Sequence, residues 1–284
     1  MSDERESIVL IRRLLRVPGS QSVVLASDGS DHWAFDVNGV FIARKRKRSD
    51  EDAAAAVKRE AALLAFVSRV SPISVPEVVA LEPEAGLIVF RRLPGISLFD
   101  RPPLDPLAFA DVLAELVAAL QSAPAALVTH LVERDEYPIN AYVAEAVGQM
   151  HRVATYLTSA QRWRVEQFLA SPAPPESAIR TLCHNDLGAE HVLASDDGSK
   201  LTGIIDWSDA AITDPARDLG RLLRDFGFGI VEAVLRRIGG DEGTFMRAAF
   251  YARCALLEDL AYGIEASRPE YVAHALARFP ETFS

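Results

Sequence analysis

Short runs of apolar residues, several of them alternating with polar ones, dominate the first 92 residues of the chain. Five segments have this pattern: residues 22–26, 32–37, 40–43, 78–81 and 87–90. Patterns of this kind are typical of strands. Asn38-Gly39 is the dipeptide that favours a two-residue hairpin turn. Apolar positions at helical spacing predict two helices, over residues 5–16 and 53–70, the second opened by the acidic segment 49–52.

The remainder of the chain has mostly helical periodicity. The predicted helices are residues 107–121, 138–152, 158–170, 214–226, 230–238, 244–267 and 271–278. One β hairpin interrupts them, with apolar strands within 181–193 and 201–207 and an Asp-Gly turn over 194–198. We therefore predict an α+β fold in two lobes. Residues 1–92 form an antiparallel sheet with a helix, and residues 93–284 form a larger, mainly helical lobe with an embedded hairpin.

Composition narrows the possible partners. The 284 residues carry a formal net charge of −10, which disfavours nucleic acid and favours cationic small molecules. The basic run 44–48 continues a predicted strand, so we interpret it as mostly solvent-facing. Two cysteines without metal-ligand spacing, no apolar run of membrane length and an acidic N-terminus indicate a cytoplasmic protein without a membrane partner. We expect a monomer.

The predicted hairpin collects the residues that can carry chemistry. His184, Asp186 and His191 belong to its first half, and Asp206 ends the second. Two carboxylates and an imidazole at one sheet edge suit a general base beside a divalent metal ion. A metal-dependent hydrolase would use the same cluster, so the residues alone leave that alternative open.

The spacing within this cluster resembles a known family. His184-Asn-Asp186-Leu-Gly-Ala-Glu-His191 has the order of a kinase catalytic loop. Together with Asp206-Trp-Ser-Asp-Ala-Ala-Ile-Thr-Asp-Pro215 it closely resembles aminoglycoside phosphotransferases, above all those acting on the 2″-hydroxyl. Macrolide 2′-phosphotransferases are similar over the same stretch. The resemblance implies a bilobal kinase-like fold over nearly the whole chain, with a nucleoside triphosphate between the lobes.

The resemblance also implies roles within the cluster. Asp186 would be the catalytic base, and His184 would brace the catalytic loop around it. His191 and Asp206 would hold Mg²⁺, although His191 stands where the family usually has Asn and imidazole is an unusual ligand for this ion.

A second set of residues would bind ATP or GTP. Its members are Ser27, Gly29, Arg44, Glu60, Phe90 and Arg92. Arg44 takes the position of the family's phosphate-binding lysine, paired with Glu60, with Lys45 as the alternative contact. Ser27 and Gly29 belong to the turn that replaces the phosphate-covering loop. Phe90 and Arg92 fall at the interlobe hinge, whose backbone would bind the base.

The acceptor is expected on the acidic side of the cleft. Asp209 follows the second strand, and the late helix carries Glu258, Asp259 and Glu265. We assign structural roles to Asp214 and Asp218, with the Asp-Pro aspartate Asp214 bracing the catalytic loop and opening the next helix.

These residues predict a magnesium-dependent kinase that phosphorylates a hydroxyl of an antibiotic. A cationic aminoglycoside is the first choice of acceptor because it would suit an acidic cleft. A macrolide and a small metabolic alcohol remain alternatives. A non-catalytic nucleotide-binding module is the alternative from a different functional class, and the complete set of His184, Asp186, His191 and Asp206 argues against it.

Overall fold

The N-terminal lobe of the computed structural model is a five-stranded antiparallel sheet. Its strands are β1 (Val23–Asp28), β2 (His32–Val37), β3 (Phe41–Arg46), β4 (Val78–Glu82) and β5 (Leu87–Arg91), in the spatial order β1-β2-β3-β5-β4. The structure describes residues 2–16, 18, 22–29, 31–48 and 50–284. Ser30 of the predicted phosphate-covering turn and Ser49 of the predicted helix start lie outside the described residues. All five strands agree with the sequence prediction.

The two faces of this sheet pack against different elements, and this shows which face carries Arg44. Ala43 is fully buried with Phe35 and Val89 on the face covered by helix α1 (Ser2–Leu15). Because side chains alternate along a strand, the next residue, Arg44, lies on the opposite face with Ile42. That face looks toward helix α2 (Glu51–Val70) and the cleft.

The start of helix α2 agrees with the prediction made from the acidic segment 49–52. The Asp50 side chain accepts a hydrogen bond from the Ala53 backbone N–H at 2.8 Å, which satisfies one of the free amides of the first turn. Val57, Leu63 and Leu64 are buried, so this apolar stripe packs inward. Glu60 lies between them and is also buried, which brings a carboxylate into an apolar interface where it needs a partner.

The C-terminal lobe is mainly helical. Its helices are α3 (Ala110–Gln121), α4 (Ala125–Val128), α5 (Ile139–Val153), α6 (Ser159–Ala170), α7 (Ala216–Phe226), α8 (Phe228–Ile238), α9 (Glu242–Glu265) and α10 (Pro269–Thr282). Its strands are β6 (Ile96–Ser97), β7 (Thr181–Cys183), β8 (Val192–Ala194), β9 (Leu201–Ile204) and β10 (Ala211–Thr213). The two-lobed α+β prediction is confirmed, with the seven predicted helices present and α4, β6 and β10 added.

The predicted hairpin is more complex than the sequence suggests. Its turn and second strand are present, because β8 pairs antiparallel with β9. Its first strand is divided in two, and β7 pairs instead with β10. Residues 184–191 form a loop between these pieces, so the first three members of the chemical cluster lie on a loop between two small sheets.

One apolar core joins the two lobes. The same buried cluster contains Val57 and Phe90 from the N-terminal lobe and Leu116, Leu187 and Leu222 from the C-terminal lobe. The boundary between residues 92 and 93 therefore stays a prediction, since apolar packing continues across it. Among the helices of the described ranges, none combines the length and the apolar character needed to cross a membrane.

Candidate active site

The loop 184–191 is held at its start by a carboxylate beneath it. The fully buried Asp218, in the first turn of α7, accepts the backbone N–H of His184 at 3.0 Å and of Asn185 at 2.7 Å. Burial raises the pKa of Asp218 to about 6 although both amides favour its charged form. The structure thus gives the bracing role to Asp218. Asp214 does not brace the loop: it accepts the Ala216 N–H at 3.0 Å and opens α7.

His184 lies under the loop and braces it. Its ring is fully buried, with Nε2 3.0 Å from the Ile205 carbonyl oxygen, while Nδ1 accepts the Asp186 N–H at 3.3 Å. These two contacts place the proton on Nε2. Burial lowers the pKa of His184 to about 4, so the ring is neutral. The described residues that line the cleft do not include His184, which therefore positions Asp186.

Asp186 points its carboxylate into a positively charged corner. Oδ1 lies 3.2 Å from Nε of Arg221, and Oδ2 lies 3.4 Å from Nδ1 of His191. Burial alone would raise the pKa of Asp186, but the charges of Arg221 and His191 outweigh burial and hold the pKa below its ordinary value. The carboxylate is therefore ionised at neutral pH and able to accept a hydrogen bond from a hydroxyl.

Arg44 joins the two lobes across the cleft. Nη2 contacts Oε1 of Glu60, and Nη1 donates to Oδ1 of Asp206 at 2.5 Å. Burial would lower the pKa of Arg44, but Glu60 and Asp206 raise it above its ordinary value. The pKa of Glu60 is also raised, because its burial outweighs the attraction of Arg44. Two carboxylates therefore hold the Arg44 guanidinium, Glu60 from the N-terminal lobe and Asp206 from the C-terminal lobe.

Asp206 and His191 are the chain's candidate metal ligands. Arg44 and His191 outweigh burial and hold the pKa of Asp206 well below its ordinary value, so its oxygens are ionised. His191 Nδ1 lies 2.8 Å from the Asp186 carbonyl oxygen, which leaves Nε2 as the nitrogen available to a metal ion. Asp206 supplies a carboxylate, the ligand type that Mg²⁺ prefers, whereas the imidazole of His191 is an unusual ligand for this ion, so phosphate oxygens and water would supply most of the coordination. The described residues contain no group of three or more side chains that could hold a metal ion.

The predicted nucleotide residues surround one cavity of about 320 Å³. Its wall includes Ser27, Arg44, Glu60, Phe90, Arg92, His191 and Asp206. Gly29 lines the adjoining part of the cleft. Lys45 is absent from both walls, and its Nζ donates to the Arg46 carbonyl at 2.7 Å. The Arg92 N–H donates to the Val40 carbonyl at 2.9 Å, so a base bound at this hinge has to use other backbone groups.

Three of the four acidic residues predicted to bind the acceptor line one part of the cleft. Asp186 shares a cavity of about 520 Å³ with Asp209, Glu258 and Asp259. Burial raises the pKa of Asp259 to about 7 although Arg224 lies 2.9 Å away. Glu265 lies outside this cavity, where it forms an exposed 3.1 Å ion pair with Arg152.

Several residues of the site carry no motif that sequence reasoning detected. Arg221 connects Asp186 to Glu258, because its Nε lies 3.2 Å from Asp186 Oδ1 and its Nη2 lies 3.2 Å from Glu258 Oε2. Glu190, next to His191, lines both cavities, and its Oε1 is buried without a hydrogen-bond partner. Arg221 follows Asp218 by three positions on a helix, so helical spacing from Asp218 is the signal that could have indicated it.

Comparison with known proteins shows which family the chain belongs to. The family described as "Phosphotransferase enzyme family" matches residues 23–256. The chain belongs to this family. Viomycin phosphotransferase from Streptomyces vinaceus is 28% identical over 203 residues, covering 69% of this chain and 70% of the relative. Aminoglycoside 3′-phosphotransferase from Streptomyces fradiae is 27% identical, covering 72% and 80%.

A solved structure extends the likeness to the whole phosphotransferase fold. The GDP and kanamycin complex of APH(2″)-IIIa has a TM-score of 0.72 and covers 98% of both chains at 22% sequence identity. At this identity the likeness establishes the fold. The predicted kinase-like architecture is confirmed, and the protein is an enzyme that transfers phosphate to a hydroxyl acceptor. The family match therefore argues against a non-catalytic module.

Proposed function

We propose that this phosphotransferase moves the γ-phosphate of ATP or GTP to a hydroxyl of a cationic antibiotic of the aminoglycoside type. One observation carries the proposal. The cavity that contains Asp186 is lined by Arg44 and Asp206 and also by Asp209 and Glu258. A phosphate-binding cation and an acidic acceptor wall thus meet at a single ionised base.

Asp186 acts on the acceptor. Its carboxylate accepts the hydrogen bond of the reacting hydroxyl and takes the proton as the new O–P bond forms and the bond to the leaving nucleoside diphosphate breaks. His184 and Asp218 keep the loop in place through the contacts at 3.0 Å and 2.7 Å to its backbone and neighbours. Phosphoryl transfer depends mainly on such positioning and on charge stabilisation.

Arg44 acts on the donor. Its planar guanidinium can contact two phosphate oxygens while Glu60 fixes its orientation. Asp206 and His191 would hold Mg²⁺, which would neutralise phosphate charge when bound. Phe90 packs its ring against Arg44, with 5.5 Å between the guanidinium carbon and the ring centre. The nucleotide base would then lie toward the hinge residues of the same cavity.

The acceptor wall supports a cationic substrate over a macrolide. Asp209, Glu258 and Asp259 line it, and ammonium groups could bind these carboxylates alongside Arg221 and Arg224, which already contact Glu258 and Asp259, whereas a macrolide needs a larger apolar wall. Two of the curated relatives are named for viomycin and for aminoglycosides, which supports an antibiotic acceptor.

The test is nucleoside diphosphate release with ATP or GTP and a panel of aminoglycosides, viomycin, macrolides and small alcohols. We expect turnover with a cationic antibiotic. Asp186→Asn should lower kcat by a factor on the order of 10² to 10⁴, because that is the usual contribution of a general base, with nucleotide affinity retained.

Asp209→Asn is the matched control. It removes a carboxylate from the same cavity without removing the base, so it should raise the acceptor KM more than it lowers kcat. Full activity of Asp186→Asn would refute the assignment of the base. Turnover with macrolides or small alcohols but with none of the cationic antibiotics would refute the proposed acceptor class.

A further inference from the structure

One face of α7 contacts the catalytic loop at three points. Asp218, Arg221 and Asp225 are spaced by three and four residues, so they lie on the same side of the helix. Asp218 holds the amides of residues 184 and 185, and Arg221 contacts the carboxylate of Asp186. The third residue, Asp225, reaches the other end of the loop.

Asp225 is a completely buried carboxylate with two partners. Oδ2 accepts the Ala189 backbone N–H at 2.6 Å, and its oxygens receive Nε and Nη2 of Arg224 at 2.6 Å and 2.8 Å. Arg224 continues to Asp259 of the acceptor wall, 2.9 Å from its Nη1. A buried carboxylate that is both hydrogen-bonded and ion-paired is fixed in one orientation.

The loop lies so close to this pair that its glycine has no space for a side chain. A Cβ on Gly188 would be 2.5 Å from Nη2 of Arg224 and 2.9 Å from Oδ2 of Asp225. Gly188 and Ala189 therefore lie against the end of α7, three and two residues before His191. Both ends of the segment 184–189 thus rest on the same helix, about 10.5 Å apart along its axis for seven residues.

We infer that Asp225 is a positioning residue of the transfer reaction, which fixes the loop near His191 as Asp218 fixes it near Asp186. By holding both ends, α7 sets the distance between the base and the metal-ligand side of the site. The inference rests on the proposed function, because it assigns Asp225 to the alignment of those two groups. Asp225 itself touches neither substrate.

The experiment compares Asp225→Ala, Asp225→Asn and Gly188→Ala with Asp214→Asn. Asp214 is a matched control because it is also buried, pairs with an arginine at 2.8 Å (Arg247) and accepts one backbone N–H. It holds no amide of residues 184–189. Two readouts are measured on the full chain: hydrogen–deuterium exchange of the segment 184–191 without ligands, and kcat and KM with the acceptor found active.

Asp225→Ala should speed exchange of the Ala189 amide and lower kcat on the order of 10²-fold, as expected for a misplacement of about 1 Å, with little change in KM. Asp225→Asn keeps an oxygen for that amide and should recover part of the turnover. Gly188→Ala removes no charge and should have the same effects as Asp225→Ala. It therefore tests the inference even if Asp225→Ala does not fold.

Asp214→Asn should lower stability while leaving loop exchange and kcat per folded molecule unchanged. Equal loop exchange and equal kcat in the Asp225, Gly188 and Asp214 variants would overturn the inference. The exchange measurement needs no acceptor. If no acceptor is phosphorylated, faster exchange confined to 184–191 still supports the brace and only the proposed function fails.

Discussion

Replacing Arg44 by alanine is expected to weaken both the folded state and nucleotide binding. The guanidinium bridges Glu60 and Asp206, so the substitution leaves two carboxylates without their main partner. Glu60 is only 9% exposed, whereas Asp206 is 28% exposed. Water can therefore rehydrate Asp206 but hardly Glu60, and most of the cost falls on Glu60.

The size of the effect follows from these two contacts. Breaking a buried ion pair costs about 3–5 kcal/mol, and the raised pKa of Glu60 lets it take up a proton and reduces that cost. We expect the free energy of unfolding to fall by about 3 kcal/mol for Arg44→Ala. Arg44→Lys keeps one of the two contacts and should lose about 1.5 kcal/mol, the value of one charge-assisted hydrogen bond.

The assay combines urea unfolding with calorimetric titration of a non-hydrolysable nucleotide. Lys45→Ala is the control, because Lys45 is the neighbouring cation and is absent from both cavity walls. We expect Lys45→Ala to cost about 1 kcal/mol, the value of its hydrogen bond to the Arg46 carbonyl, and so less than Arg44→Ala. Arg44→Ala should weaken nucleotide binding about 10- to 150-fold, because contacts to phosphate of about 1.5–3 kcal/mol are lost.

Two results would contradict this reasoning. Equal losses of nucleotide affinity in Arg44→Ala and Lys45→Ala would mean that general positive charge, and not the bridging guanidinium, attracts the phosphates. Unchanged stability of Arg44→Ala would mean that the contacts to Glu60 and Asp206 contribute nothing to the folded state.

Two further predictions concern the acceptor wall and the hinge. The pKa of about 7 makes Asp259 lose its proton as the pH rises through 7, so the KM of a cationic acceptor should fall over that range. Its charged neighbours are Arg221, Arg224, Asp225 and Glu258. Asp259→Asn should remove this step from the pH profile, and a persisting step assigns it to another group. Gly95→Ala should lower the free energy of unfolding by about 2–4 kcal/mol in urea, because Gly95 has φ +114° and its Cβ would lie 2.4 Å from the Ala194 carbonyl oxygen. Unchanged stability would mean that the turn rearranges.

Local patterns predicted the elements that depend on neighbours in sequence. Asn38 and Gly39 adopt the left-handed conformation that their hairpin turn requires, with φ of 58° and 67°. Alternation along β3 correctly placed Arg44 with Ile42. The pairing of β7 with β10 was not predicted, because strands of three residues that meet across about 30 positions leave no local periodicity.

The residues of the site also fall into two groups: those that sequence order reveals and those that only the fold reveals. Asp186, His191 and Asp206 were detectable because their order along the chain is itself the signal. Asp225 and Arg221 look like ordinary charges of an amphipathic helix, and only the position of α7 beneath the loop shows their contacts. Glu265 is the opposite case. It follows Glu258 by two helical turns, but its side chain pairs with Arg152 of α5 and does not line the cleft.

The apolar cluster that runs from α2 through α3 and α7 has a consequence for how the enzyme can be divided. Val57, Leu64 and Phe90 are buried in the same cluster as Leu116 and Leu222, so part of each lobe's interior is completed by the other lobe, although each lobe also has a separate apolar cluster. A chimera that joins this N-terminal lobe to the C-terminal lobe of a relative would bring together apolar surfaces that do not match each other in packing. Exchanging the N-terminal lobe as a unit should therefore require matching substitutions on the C-terminal side of this shared cluster.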